Sequence, residues 1–220
     1  MATDYIAVIC DAVASRSLAS PNRARLQSAL REAVRKELNH HSRPWRTSIA
    51  AKFALTRGDE IEGLLRNTRH LWEITHWLRA RFGDVDWVVA CARGPITTPL
   101  VESALEVDGP CFHDARAALE TAKHDRLLFA FQGFDDNVAA LAQYYSALYW
   151  SWTPKQRRAA NSWRYTAGLE ASFKPALLHS TVSAVASRTH PSAVSHMRRR
   201  MAWPLVVAGD IVFRAALEGP

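Results

Sequence analysis

Apolar residues follow two regimes along the chain. Up to about residue 131, short unbroken runs alternate with stretches where apolar positions recur every three or four residues. Beyond residue 135 only the second spacing remains. Runs of that first kind read as buried strands, and the three-to-four spacing as amphipathic helices. Tyr5 to Asp11 is a β-rich run, the first strand. Ser20-Pro21 supplies an N-cap with proline in the first helical position, and Leu26, Leu30, Val34 and Leu38 carry a helix to about Asn39. Ser48 to Thr56 and Ile61 to Leu65 are two strands joined at Gly58-Asp59, a pair suited to a tight hairpin turn. A second helix spans about Thr68 to Phe82, with Leu71, Ile74 (or Thr75) and Leu78 inward. Val85 to Arg93 is a strand stopped by Gly94-Pro95. Residues 94–110 form a long loop with a helical turn near Leu100 to Leu105. Phe112 to Lys123 is a third helix and Arg126 to Phe131 a fifth strand.

The resulting order, β-α-β-β-α-β-α-β, predicts an α/β (α+β) fold: a ferredoxin-like sandwich with one added helix and strand. Gly133-Phe134-Asp135-Asp136 marks the boundary between a domain of residues 1–134 and an all-α domain of residues 135–220. Val138, Leu141, Tyr145, Leu148 and Trp152 step at helical intervals. Tyr144, Tyr145, Trp150 and Trp152 are placed to form the seam between the domains.

Charge sharpens this division. Residues 1–135 carry 18 Lys+Arg against 17 Asp+Glu, whereas residues 136–220 carry 10 against 4. The basic excess therefore sits in the helical part, which suits a polyanion such as DNA. Within it, residues 181–200 have a helix-turn-helix layout. Ala184 and Val185 lie in a first helix, Arg188-Thr189-His190 makes the turn, and Pro191-Ser192 opens a second helix with Val194 inside it. Exposed positions of that second helix are Ser192, Ala193, Ser195, His196 and Arg199, with Arg198 at the margin of that face. Ser192, Ser195, His196, Arg198, Arg199 and Arg200 are the candidate DNA contacts. A generic helical hairpin with a basic end is the alternative reading.

The candidate chemistry is acidic. Asp11 ends the first strand, and Asp59-Glu60 lies at the hairpin tip. Carboxylates from a strand end and a nearby hairpin make a hard-oxygen site for magnesium if they converge. Asp11 as a loop cap and Asp59 as a turn residue is the competing structural reading. Cys10, Cys91 and Cys111 are far apart, with no metal spacing, which points to a reducing compartment and a cytoplasmic protein. No signal peptide or membrane span is expected. Dimerisation is expected, because helix-turn-helix proteins usually read paired half-sites. The final helix, Val206 to Leu217, is apolar over Val207, Ile211 and Ala215 and suits packing either on the tail domain or on a partner.

Three segments, YIAVICDAVASR at 5–16, AKFALTRGDEIEGLL at 51–65 and DGPCFHDARAAL at 108–119, resemble the SatD family. That resemblance implies an N-terminal domain related to nucleotidyl cyclases and a C-terminal helix-turn-helix. It assigns Asp11 and Asp59 as metal candidates with Glu60 accessory, and Arg57, Gly58 and Arg116 to a nucleotide, with Arg116 catalytic if the domain turns over. Class III cyclases have an Asn four residues before that Arg; Phe112 stands there. Arg57 replaces a glycine found before the Asp of diguanylate cyclases. Together these readings imply a DNA-binding regulator whose cyclase-like domain senses a nucleotide, with magnesium. The alternative is a metal-dependent nucleotidyl transferase or cyclase acting on nucleoside triphosphates.

Overall fold

A computed structural model describes residues 3–13, 20–56, 59–83, 85–166 and 191–218. Among them are five strands and seven α-helices. The strands are β1 (Tyr5–Ala12), β2 (Ile49–Leu55), β3 (Glu60–Leu65), β4 (Trp87–Gly94) and β5 (Phe129–Gln132). The helices are α1 (Ser20–Ala33), α2 (Leu71–Arg81), α3 (Pro110–His124), α4 (Asp136–Ser151), α5 (Pro154–Thr166), α6 (Pro191–Arg200) and α7 (Trp203–Glu218). The fold is mixed α/β. One sheet runs β2-β3-β1-β4-β5, antiparallel except for the β4–β5 pair. That last pair is parallel because α3 carries the chain across between its strands.

β1 is central and buried on both faces, which is why its sequence reads as an unbroken apolar run. Ala7 and Ile9 join Leu64, Val88 and Ala90 beneath α3, with Cys111, Phe112, Ala115, Leu119 and Ala122 as the helix's inward positions. Ile6, Val8 and Cys10 face the other way, into a larger cluster with α1, α2, α4 and α7.

The second helix departs from expectation. Every residue from Leu71 to Ala80 is buried, not one face alone, because α5 and α7 pack over its outer side. Two of its charged residues meet side chains from other elements. Glu73 is 1% exposed and pairs with Arg214 of α7 at 3.0 Å. The Arg79 guanidinium, equally buried, lies over the Tyr149 ring at 4.2 Å and the Phe129 ring at 5.2 Å. Trp72, Phe129, Tyr145 and Phe213 close this region, with Trp72 and Phe213 ring centres 4.5 Å apart. Residues of the helical part thus share one buried cluster with β1. Of the four expected seam aromatics, Tyr145 and Trp152 are buried and Trp150 is half-buried. Tyr144 is 73% exposed, since it projects from the outer side of α4.

The hairpin is wider than a two-residue turn, since β2 ends at Leu55 and β3 begins at Glu60. The first helix continues into a π-helical turn, Val34–Leu38. Just beyond it, Asn39 closes the outer edge of β2. Its Nδ2 donates to the Phe53 carbonyl at 2.7 Å, and its Oδ1 accepts from the Phe53 amide at 3.0 Å. One side-chain amide there does the work of a neighbouring strand.

Candidate functional site

Antiparallel register brings the acidic residues together. Asp11 of β1 lies opposite Glu60 of β3, so both side chains leave the same face of the sheet. Glu62, two residues on, shares that face. It is the face α3 crosses. Arg116 and Lys123, two turns apart on α3, each sit one position beyond an inward alanine, Ala115 and Ala122. They therefore reach the rim where the carboxylates emerge.

Arg116 Nη1 is 3.1 Å from Glu60 Oε1 and 3.2 Å from Oε2, while its Nη2 donates to Glu62. Lys123 Nζ is 2.9 Å from Asp11 Oδ2 and 3.1 Å from Glu120. Thr56 adds a hydroxyl at 2.8 Å to Glu60 Oε1. Three sheet carboxylates thus meet two helix cations.

Burial is the main cause that raises the Asp11 pKa above its ordinary value. The Lys123 hydrogen bond and charge oppose it, and Asp59 and Glu60 add to the rise. Asp59 is therefore close enough to act on Asp11. Burial works against the Lys123 charge, but Asp11 and Glu120 outweigh it and hold that ammonium above its usual range. Cys10, beneath the rim, is driven up by burial and then by Asp11 and Glu60. It is a core thiol, not a nucleophile.

Beside the rim lies a pocket of about 590 Å³, bounded by Thr56, Glu62, Leu105, Phe112, His113 and Arg116. Its size is that of a small-molecule site. The residues 95–109 wall it off. Gly109 lets them approach the start of α3, because a Cβ there would lie 2.5 Å from Ile96 Cα and 2.9 Å from the Pro95 carbonyl. His113, exposed at the mouth, contacts Asp108 at 3.0 Å.

The structure thus gathers Asp11, Asp59, Glu60 and Arg116. It adds Glu62 and Lys123, which the sequence reading did not single out. Arg57 and Gly58 lie outside the described residues. Arg116 and Glu60, expected to take a nucleotide and a metal, are engaged with each other. The carboxylate oxygens are the donor type magnesium prefers. Among the described residues, however, no group of three or more His, Cys, Asp or Glu is arranged to hold a metal ion.

In the helical part, residues 191–200 are helical, within the expected second helix. Ser192, Ser195, His196, Arg199 and Arg200 are exposed, Arg198 is half-buried, and Val194 and Met197 pack inward on the core. Burial lowers the Arg198 pKa from its ordinary value. The first helix and turn of the expected helix-turn-helix, 181–190, lie outside the described residues. Among the described residues no helix is long and apolar enough to cross a membrane.

A family model described as the SatD family matches residues 5–131, from β1 into β5. No curated protein matches the chain.

Proposed function

This chain belongs to the SatD family, and on that premise we propose that it is a DNA-binding regulator. Its sheet portion is read as a nucleotide-sensing domain of ferredoxin-like, nucleotidyl-cyclase type. The strand order β2-β3-β1-β4 supports the ferredoxin-like reading. The observation that carries the functional reading is the position of Arg116, which borders the pocket while gripping Glu60 and Glu62. A guanidinium that binds two carboxylates in a fork is equally suited to phosphate oxygens.

Bound phosphates would compete with Glu60 and Glu62 for Arg116. Asp11, with Asp59 beside it, would hold the magnesium that accompanies the nucleotide and neutralises its charge. Lys123 would then have to leave Asp11, and its exposed stem lets it swing. Displaced from the sheet carboxylates, both α3 cations become phosphate ligands. Phe112, buried where class III cyclases carry Asn, leaves no polar group at that point to help turnover. Sensing is therefore favoured over cyclisation. The tail reading rests on the excess of 10 basic over 4 acidic residues in 136–220 and on the exposed Ser195, His196, Arg199 and Arg200 of α6. A physical route joins the two parts: α3 packs on β5, and Phe129 and Phe131 of β5 pack on Phe213 of α7.

Calorimetric titration of nucleoside triphosphates with magnesium tests the sensor. Arg116→Ala is expected to weaken binding at least about tenfold, the loss of one charge-assisted contact. Glu62→Gln, which removes one of the two carboxylates that hold Arg116, should strengthen it. No binding at millimolar nucleotide refutes the sensor. Anisotropy with duplex DNA across a salt series tests the tail. Arg199→Ala should lower the slope of log affinity against log salt by about 1. Wild-type binding no tighter to DNA than to any polyanion refutes that half.

A further inference from the structure

Helix α7 is apolar on both sides. Trp203, Val206, Val207, Phe213 and Leu217 are buried against the core. On the opposite side Leu205 is 74% exposed and Val212 57% exposed, with Ala208, Gly209 and Ala215 also open. Both charged residues in the interior of the helix turn inward. Asp210 is buried and Arg214 reaches Glu73. The outward side therefore carries no charge from Pro204 to Ala215. A helix apolar all round belongs between two partners, and here one side has none among the described residues.

We propose that this side is the seam of a two-fold homodimer in which α7 packs antiparallel on the partner's α7. Three features select a second copy. First, Leu205, Ala208, Val212 and Ala215 are spaced three, four and three, the rhythm of a helix–helix seam. Second, large and small residues alternate along it, so the strip complements itself when reversed. With Ala208 beside the partner's Val212, Leu205 falls beside the partner's Ala215, and each bulky side chain meets an alanine. Gly209 lies open beside this strip, since a Cβ there would meet nothing within 4 Å. A two-fold axis demands this kind of self-matching surface.

Third, charge complementarity fixes both partner and direction. An uncharged strip on a chain of net charge +7 offers nothing to a polyanion. Parallel packing would set the two Arg198–Arg200 runs side by side. Antiparallel packing sends them to opposite ends of helices 16 residues long, about 24 Å. One helix pair buries less than the roughly 800 Å² per partner of a standard interface, so the dimer is expected to dissociate on dilution.

Sedimentation velocity of the full chain over a concentration series tests this. The wild type should pass from monomer to dimer. Leu205→Glu and Val212→Arg should each weaken dimerisation at least tenfold. Their far-UV circular dichroism should stay unchanged, because neither side chain enters the core. An equimolar mixture of Ala208→Cys and Val212→Cys chains should give a mixed disulfide, while each alone should not. Four results would each overturn the proposal: a monomer at every concentration, a dimer indifferent to both substitutions, same-position crosslinks only, or a monomer that co-sediments with anionic vesicles through Leu205.

Discussion

Gly63 of β3 lies under the ring of Phe53 on the neighbouring strand. A Cβ built at Gly63 would stand 2.5 Å from Phe53 Cγ and nearer still to Cδ1 and Cε1. Carbon atoms rest at about 3.5–4.0 Å, so Gly63→Ala requires the ring to recede by about 1 Å or more. It has little room: Phe53 is 3% exposed, and both strands are hydrogen-bonded in the sheet. Overpacking of this kind costs about 1–3 kcal/mol, and the fixed strands place the expected loss near the upper end. The same displacement would shift Glu62, next along β3, away from Arg116. Urea unfolding followed by tryptophan fluorescence measures the loss, and a cycle with Phe53→Leu assigns it. With the ring gone, Gly63→Ala should cost much less, giving a coupling of about 1–2 kcal/mol. A single-variant loss below about 0.5 kcal/mol, or an equal loss in both backgrounds, would refute the reasoning.

Three further outcomes follow from the same physics. None of the three Arg79 side-chain nitrogens has a hydrogen-bond partner, so its burial is offset mainly by the rings around it. Arg79→Met should leave the thermal midpoint unchanged or raise it, and a loss above about 1 kcal/mol would show the cation to be necessary. Ala202, between α6 and α7, has φ +49, so Ala202→Gly should stabilise by roughly 0.5–1 kcal/mol in denaturant unfolding; destabilisation would contradict this. The raised Asp11 pKa means that folding favours its protonated form. That contribution is present below the ordinary value of 3.8 and is lost as pH rises through the folded value. Asp11→Asn cannot ionise, so stability of wild type minus variant should fall as pH rises above about 3.8. A difference that rises with pH would reverse the assignment.

The strands and their order were legible because strands buried on both faces need uninterrupted apolar sequence, as in Ile6 to Cys10. The complete burial of α2 was not. Glu73, Thr75, His76 and Arg79 make that helix look half-solvated, and the residues that pair with Glu73 or pack on Arg79 come from α4, β5 and α7, remote in sequence. At the rim, Asp11 and Glu60 could be placed from strand ends alone. Their neutralisation could not, because it depends on where α3 crosses the sheet. Two signals were available: the Glu60-x-Glu62 alternation on one strand face, and the seven-residue interval between Arg116 and Lys123.

The way Asn39 covers the β2 edge exposes the protein to chemical ageing. Deamidation would replace the Nδ2 donor by an oxygen facing the Phe53 carbonyl across 2.7 Å. Two lone-pair-bearing atoms would then repel where one proton had bound them. The Phe53 part of that edge would be released for intermolecular pairing, with the neighbouring Lys52 amide still bound to the Glu102 carbonyl, so old preparations should clump before they lose helix content.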